Sequence, residues 1–435
     1  MKKRAIGILL SMILVASTVV GCSNGAKKED AKSEGNNDGK KTVTVWCWDV
    51  EYNIPVMEEA AKRYEAKHSD VDIEVMEYAY DDVTQKINTS LTSGVKDGLP
   101  EIILSEDASV QKYLQSYPGA FKDMKDIVNF DDFADYKVDV LTLDDGIYGV
   151  PFDIGTEGLF YRTDYMEQAG YTDEDLTDIT WSEFVEIGKK VKEKTGKNLM
   201  TMDPNSMSIM RDFMQSSGTW YFDEDGKVNL TDNEVIEEGV NIYKDLMDSN
   251  TIELTTGWGD MVAAINGGNV ATVVSGCWIV PTITSAEDQS GLWKVTKMPR
   301  VEAEGGTNYG NRGGSNWLVL EESENAEIAA DFLNEIYAND VNFYETILEN
   351  IGAIGAYKPA SGSEAYKKPV EFFNNEPIWE NFAEWAQQVP SIKFGVYSDE
   401  VDSVLITNMP TVLDGSASPS KMLETSQKML ESQLQ

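Results

Sequence analysis

Carboxylates and tryptophans occur together where predicted β-strands of this sequence end. Trp48 and Asp49 close the stretch "VTVWCWDV", and Glu106 and Asp107 follow the stretch "EIILS". A carboxylate accepts hydrogen bonds from two donors at once, and a tryptophan ring presents a flat apolar face. These residue types suit a ligand that has apolar C–H faces and a rim of hydroxyl groups, such as a pyranose. Two carboxylates flanking such a ligand would also suffice for glycoside hydrolysis.

The candidate ligand-binding residues share two features: they are aromatic or polar, and they fall at predicted strand ends or in glycine-rich loops. Each also has a purely structural interpretation. A tryptophan packs in a core, an acidic side chain lies on a solvated surface, and an asparagine caps a helix. By contrast, Trp181 and Trp293 are predicted to be core residues. The candidates are Trp48, Asp49, Asn53, Glu106, Asp107, Asp153, Trp220, Trp258, Trp278, Arg312, Ser315 and Asn316.

Other kinds of reactive site find little support in the sequence. His68 is the one histidine among 435 residues, so neither a zinc cluster with several histidines nor a histidine-based triad is predicted. Cys47 and Cys277 each neighbour a tryptophan in a strand-like run, which favours core packing over a disulfide. We therefore predict no catalytic residue, no metal and no cofactor, and carboxylate-only glycosidase chemistry stays open as an alternative.

The net charge excludes one class of partner. The chain carries 36 basic and 75 acidic residues, a formal net charge of −39. Such a surface repels phosphate backbones, so nucleic-acid binding is not expected. An acidic surface also keeps a secreted protein soluble.

The first third of the chain alternates predicted strands and helices. Strands are expected at Val43–Trp48, Val71–Met76 and Glu101–Ser105, with helices that begin near Asn53 and at Asp82 between them. Strands separated by helices indicate parallel βαβ units, whose ligands lie outside the carboxyl ends of the strands. Trp48 and Glu106 should therefore meet at one crevice.

Later segments carry weaker signals. Thr180–Glu183 and Thr231–Glu234 each match a capping box before a helix. Val270–Trp278 is predicted as a strand that ends in a glycine turn with Trp278 at its tip. Phe222–Leu230 predicts a hairpin-like turn rather than a calcium loop, because Tyr221 occupies the first ligand position.

The N-terminus has the features of an export signal. Basic residues at positions 2–4 precede an apolar run, and the run ends in "VVGC" at Cys22. This ending resembles the lipobox of bacterial lipoproteins, so residues 1–21 are predicted as signal peptide and Cys22 as the lipidated residue. Residues 22–41 have no large apolar side chain and predict a flexible tether. The protein is expected outside the cytoplasm, attached to the outer face of the bacterial cell membrane.

Several motifs, in order along the chain, resemble one family. "YGVPFDIGTEGLFYRTDYMEQAG" (Tyr148–Gly170) is similar to the crossover segment of the extracellular sugar-binding proteins of ABC importers. "VTVWCWD", Gly98–Asp107 and Val110–Phe121 also fit this family. The resemblance covers essentially the whole chain after Lys41. It is strongest to binders of lactose-like sugars, which are related to the maltodextrin-binding family.

The resemblance implies an α/β, two-lobed periplasmic-binding-protein-like fold of type II, with discontinuous lobes. Three hinge crossovers are expected near Asp153–Glu157, Asn308–Gly313 and Gly352–Gly355. The N-terminal lobe would comprise residues 42–154 and 311–352, and the C-terminal lobe residues 155–310 and 353–435.

The resemblance also implies a function and partners. The protein would capture a carbohydrate, from a monosaccharide to an oligosaccharide, between its lobes and deliver it to the permease subunits of an ABC importer. It would act as a monomer, without enzymatic activity. A non-sugar solute, such as a polyamine or a peptide, is the alternative ligand.

Overall fold

The computed structural model describes residues 39–223 and 225–434. The predicted signal peptide, Cys22 and most of the predicted tether lie outside the described residues. Within the described part of the chain, no helix combines the length and the apolar character needed to cross a membrane.

The strands confirm the predicted positions to within a few residues. The predicted strand at Val43–Trp48 is found at Lys41–Cys47, and the helix predicted near Asn53 begins at that residue. The strands are β1 (Lys41–Cys47), β2 (Val71–Glu77), β3 (Ile102–Glu106), β4 (Thr142–Leu143), β5 (Gly146–Ile147), β6 (Val150–Pro151), β7 (Glu157–Arg162), β8 (Met200–Met202), β9 (Ile252–Leu254), β10 (Thr272–Gly276), β11 (Trp293–Thr296) and β12 (Ser315–Val319).

Helices separate most of these strands and form most of the last hundred residues. They are α1 (Asn53–Glu65), α2 (Tyr80–Ser93), α3 (Asp107–Ser116), α4 (Asp135–Leu141), α5 (Thr163–Ala169), α6 (Trp181–Thr195), α7 (Ser208–Gln215), α8 (Glu234–Asp248), α9 (Gly257–Asn266), α10 (Val280–Thr284), α11 (Ala326–Tyr337), α12 (Val341–Ile351), α13 (Lys358–Ser361), α14 (Ile378–Trp385), α15 (Ser398–Leu413) and α16 (Pro419–Gln433).

A first sheet has the strand order β2-β1-β3-β12-β6. Strands β1, β2 and β3 are parallel, as the alternation of strands and helices predicts, and β12 is antiparallel to β3. Both faces of β1 are covered: Val43 and Val45 belong to one apolar cluster and Trp46 to another. The carboxyl ends of the three parallel strands therefore share one edge of the sheet.

A second sheet is built from the middle of the chain. Strand β7 lies between β10 and β11 and is antiparallel to both, and β8 pairs in parallel with β9. All six residues of β7 are buried, because strands flank it and helices cover it. Trp181 and Trp293 are fully buried, as predicted.

Two local predictions have different outcomes. Thr180 and Glu183 form the predicted capping box at the start of α6. The second capping box is wrong: Asn233 caps α8 by accepting from the backbone N–H of Ile236, and Thr231 instead donates its hydroxyl to Gln427 of α16, 3.1 Å away. A hairpin-like turn is found as predicted, with Phe222 paired antiparallel to Val228.

The three segments predicted as crossovers lie side by side. Asp153 pairs with Gly355, and Thr156 pairs with Asn311, both antiparallel. The approach is tight, because a Cβ atom on Gly155 would lie 2.3 Å from the carbonyl oxygen of Arg312. A glycine is therefore required where these two segments touch.

Candidate functional site

Three side chains lie at the carboxyl ends of the parallel strands in the first sheet. Trp48 follows β1, Tyr80 follows β2, and Glu106 ends β3. The rings of Trp48 and Tyr80 meet edge to face, with centroids 5.0 Å apart and planes at 88°. Tyr80 is 36% exposed, and Trp48 is half-buried. Sequence analysis missed Tyr80, although its place after β2 matches that of Trp48 after β1.

The turn after β1 is held by Asn53. Its buried side-chain oxygen accepts hydrogen bonds from the backbone N–H groups of Trp48 and Asp49, at 3.2 and 3.1 Å. Asn53 is the first residue of α1 and makes no cap to that helix. Asn53 therefore fixes the backbone that carries Trp48. Asp49 is exposed, and one of its carboxylate oxygens accepts from the N–H of Glu51 at 2.8 Å.

The two acidic residues at the end of β3 face different surroundings. Glu106 is exposed at the sheet edge. Although the residue as a whole is exposed, groups packed around the Glu106 carboxylate partly remove it from water, and this effect and then the Asp107 carboxylate raise its pKa, while Tyr80 and Arg211 lower it. Asp107 is buried, forms an ion pair with Lys137, and accepts from the side-chain amide of Asn316 at 2.8 Å.

Asp153 and Ser315 belong to an internal polar network next to the crossover segments. The N–H and hydroxyl of Ser315 both donate to one oxygen of Asp153 at 2.7 Å, and the Tyr52 hydroxyl donates to the other at 3.1 Å. Burial raises the pKa of Asp153, and the charge of Lys137 opposes this shift. Asp107, Asp153, Ser315 and Asn316 are therefore all buried and engaged with other parts of the chain.

A cavity of about 220 Å³ lies against the second sheet. Trp258 and Trp278 form part of its wall, and their ring centroids are 5.9 Å apart with planes at 37°. Trp258 is 53% exposed, and Trp278 is half-buried with its indole N–H donated to the carbonyl oxygen of Arg312 at 2.7 Å. Thr255 and Ser275 add polar side chains to a lining that also contains Met261, Val273 and Val274. This combination suits a sugar.

The glycine-rich stretch around Trp258, expected as a loop, is the first turn of α9, and Asp203 anchors it. This residue follows β8 and accepts from the backbone N–H of Gly257 at 2.9 Å and from that of Asn205 at 2.8 Å. Those two bonds lower the pKa of Asp203, which lines the cavity and keeps its charge. Sequence analysis missed Asp203, because β8 has only three residues and leaves little pattern to detect.

Arg312, predicted as a ligand contact, also lines the cavity, but its guanidinium is already bound by carboxylates of the chain. It binds both carboxylate oxygens of Asp212, and its Nε lies 3.5 Å from Glu157. Asp212 and Glu157 are buried. Burial first and then the Asp212 carboxylate raise the pKa of Glu157 well above its usual value.

Trp220 is packed in the interior. It is 3% exposed, its indole N–H donates to the Ser398 hydroxyl at 2.9 Å, and its ring meets Phe394 edge to face at 4.9 Å. The sequence gives no sign of this packing, because α15 lies almost 180 residues further along the chain.

One group of side chains has the spacing of a metal site in the described residues: His68, Asp331 and Glu335. The ligand atoms are occupied within the protein. Glu335 accepts from Lys67 at 2.6 Å and contacts His68 at 2.8 Å, and Asp331 accepts from the Tyr64 hydroxyl at 2.8 Å. This cluster is accounted for as an ion-pair network that joins α1 to α11.

Comparison with known proteins identifies relatives of the chain. Residues 59–374 match the family described as bacterial extracellular solute-binding protein. The chain is 46% identical over 374 residues to the lactose-binding protein of Rhizobium radiobacter, across 86% of this chain and 89% of that protein. It is 25% identical over 343 residues to the arabinooligosaccharide-binding protein of Bacillus subtilis (strain 168), across 77% and 76% of the two chains. Among solved structures, the sugar-binding protein MalE from Xanthomonas citri matches with a TM-score of 0.76 at 18% identity, across 90% of this chain and 97% of that one.

Proposed function

The chain belongs to the bacterial extracellular solute-binding proteins, and we propose that it captures a lactose-type galactoside for an ABC importer. The observation that carries this proposal is the 46% identity to a lactose-binding protein over 86% of the chain. The predicted two-lobed, type II binding-protein fold is confirmed by its structural relatives. Its sequence relatives include a lactose-binding and an arabinooligosaccharide-binding protein, which favours a sugar over the polyamine or peptide considered from the sequence.

The ligand site in this proposal lies between the two sheets. Trp258 and Trp278 offer apolar platforms from the second sheet, while Trp48 and Tyr80 stand at the edge of the first. Ring faces pack on the C–H faces of a pyranose, and the carboxylates of Asp49, Glu106 and Asp203 accept bonds from its hydroxyls. Asn53 acts as a positioning residue, and the network of Asp107, Asp153, Ser315 and Asn316 supports the crossover segments.

The lobes of the proposal are residues 42–154 with 311–352, and residues 155–310 with 353–435. Closure would bend the three crossover segments that lie side by side around Gly155. A sugar that contacts both lobes favours the closed state, because it gains contacts there that the open state lacks.

Attachment to the membrane is the second part of the proposal. Membership of an extracellular family fits a location outside the cytoplasm. The "VVGC" sequence at Cys22 supports lipidation, after which residues 22–41 tether the folded part to the outer face of the cell membrane. Two acyl chains anchor a protein stably, whereas one gives only marginal binding. The anchored monomer would then meet the permease subunits of its importer.

We propose a binding role and no enzymatic activity. The relatives are substrate-binding proteins. Two of the carboxylates first considered for hydrolysis, Asp107 and Asp153, are buried and bonded to Lys137 and Ser315. Incubation with nitrophenyl β-galactoside should release no nitrophenol, and turnover at a rate that depends on Glu106 or Asp203 would overturn this part of the proposal.

Calorimetric titration with a sugar panel tests the ligand. Lactose should bind, and maltose and sucrose, disaccharides of similar size, should bind at least about tenfold more weakly, which is 1.4 kcal/mol in binding free energy. Thermal melts provide an independent measure, since a ligand that binds only the folded state raises the melting temperature. Preference for maltose over lactose would refute the lactose-type assignment while leaving sugar binding intact.

A further inference from the structure

Proteins commonly bind anions with basic side chains and with the N–H groups at a helix N-terminus. Both kinds of group lie at or beside this cavity, and both already bind carboxylates of the chain itself. Arg312 is the one basic residue that lines the cavity in the described chain. Its guanidinium binds Asp212 through two nitrogens and lies 3.5 Å from Glu157. An arginine that is bound bidentately by a buried carboxylate has little capacity left for an acidic ligand.

Two N–H groups at the N-terminus of α9 also bind carboxylates of this chain. This helix begins at Gly257 beside the cavity, and its free N–H groups would ordinarily attract an anion. The N–H of Gly257 donates to Asp203 at 2.9 Å, and that of Thr256 donates to Asp260 at 3.3 Å. Both acceptors are carboxylates of this chain, so a further negative charge meets repulsion there.

Arg211, the neighbouring cation on α7, is also paired. Its guanidinium lies 2.9 Å from Asp399 and 2.7 Å from Asp402, both on α15. Its charge reaches the opposite sheet, where it lowers the pKa of Glu106. Two carboxylates contact this one guanidinium, which leaves it little capacity for an acidic ligand.

The charges that remain around the cavity are acidic. Asp203 lines the cavity wall and stays ionised, because its two backbone donors lower its pKa. Asp49 and Glu106 do not line the cavity; they are exposed at the ends of β1 and β3, the strand ends that face the sugar in the proposed function. A ligand here meets carboxylates that can accept its hydroxyl or ammonium protons.

We propose that this cavity selects its ligand by charge: it admits neutral and amine-bearing sugars and excludes acidic ones, with Asp203 as the main determinant. The proposal rests on the proposed function, in that the cavity holds a sugar. It names a chemical class within that function. Uronates, sulfated sugars and sialylated sugars are excluded because Arg312, Arg211 and the α9 N-terminus are each occupied by carboxylates of the same chain.

The test compares two derivatives that differ in charge but hardly in shape. Lactose oxidised at C6 of galactose carries a carboxylate, and the primary amide of that acid is its neutral isostere. By calorimetry the amide should bind at least about tenfold more tightly than the acid, as expected for like charges a few ångströms apart in a partly wet cleft. The difference in affinity between the amide and the acid should become smaller as the salt concentration is raised from about 0.05 to about 0.5 M, because salt screens charge repulsion and leaves the shape of the ligand unchanged.

A variant isolates Asp203. Asp203→Asn keeps an oxygen acceptor for Gly257 and removes the charge, so it should lower the amide-to-acid affinity ratio about threefold or more. Asp225→Asn, an exposed control outside the cavity lining, should keep the wild-type ratio. Lactosamine, which carries a free amine, should lose relative affinity in Asp203→Asn compared with N-acetyllactosamine.

Equal affinities for acid and amide, or an unchanged ratio in Asp203→Asn, would overturn the proposal. Failure of lactose itself to bind would refute the lactose-type function instead. The affinities of the acid and the amide of whichever neutral sugar binds would then test in the same way whether the cavity excludes a negative charge.

Discussion

Replacing Trp258 by alanine is expected to weaken sugar binding by about one order of magnitude without unfolding the protein. Trp258 is 53% exposed beside the cavity, so much of its ring is free to be covered by a ligand. A tryptophan side chain offers up to about 250 Å², so about 130 Å² is available here. A sugar that covers half of this removes about 65 Å² from water, worth about 1.6 kcal/mol at about 25 cal/mol per Å². This energy corresponds to about a fifteen-fold loss of affinity.

The assay is calorimetric titration beside thermal melts for a set of tryptophan variants. Trp48→Ala and Trp278→Ala should weaken binding about five- to hundred-fold. Each of these rings is half-buried, so it offers a ligand less surface than Trp258 but is held more firmly by the protein. Trp293→Ala is the control: its ring is fully buried, and its N–H donates to Gln289 at 2.9 Å. It should lower stability by about 3–5 kcal/mol. Wild-type affinity in the Trp48, Trp258 and Trp278 variants together would mean that these rings only pack, and the platform argument would fail.

Three further predictions concern the anchor, the lobes and the buried charges. Cys22→Ala should move the protein from the membrane fraction into the soluble fraction; unchanged membrane retention would contradict lipidation. X-ray scattering at saturating sugar should give a smaller radius of gyration than scattering without sugar, and identical profiles would count against closure. Burial and Asp212 raise the pKa of Glu157 above its usual 4.5, so the folded chain keeps a proton that the unfolded chain releases. Stability should therefore fall as pH rises above about 4.5, and Glu157→Gln should flatten this slope and raise the melting temperature at pH 7 relative to wild type. If the melting temperatures of Glu157→Gln and of the wild type change in parallel from pH 4 to 8, Glu157 is ionised in the folded protein and the prediction fails.

Local sequence signals predict the parallel part of the first sheet well, because β1, β2 and β3 are each long enough to show a pattern. The alternation of β1, α1, β2, α2 and β3 predicts parallel pairing, and the observed register from Lys41 opposite Val71 confirms it. The capping box at Thr180 depends on residues three apart and is also found. The one at Thr231 failed because Gln427 of α16 supplies its side-chain oxygen to the hydroxyl and N–H of Thr231. A partner 196 residues away leaves no trace in a four-residue motif.

The aromatic and the polar candidates differ in how well their positions can be predicted from the sequence. Trp48 and Trp278 follow β1 and β10, and Trp258 and Trp278 line the cavity, while their contact with a ligand stays a prediction. Polar candidates are harder to place, since a buried carboxylate needs partners that the sequence does not reveal. Asp107 follows Glu106 directly, yet it turns inward to Lys137, thirty positions further along the chain. That distant lysine accounts for which of the two adjacent acids is buried.

Arg312 connects the candidate ligand platform to the crossover segments, and this connection gives closure a physical route. Its carbonyl oxygen accepts a hydrogen bond from the indole N–H of Trp278. A sugar packed on that ring is therefore coupled through this bond to the backbone of Arg312. The N–H of Arg312 donates to the carbonyl oxygen of Gly155 at 2.9 Å, and its side chain holds Asp212 of α7. Rotation of one lobe against the other is expected to move these bonded segments together, because separating Arg312 from Asp212 would leave a buried carboxylate without its partner. The platform and the crossover are therefore expected to move as one body, and bending is left to the residues on either side of Gly155.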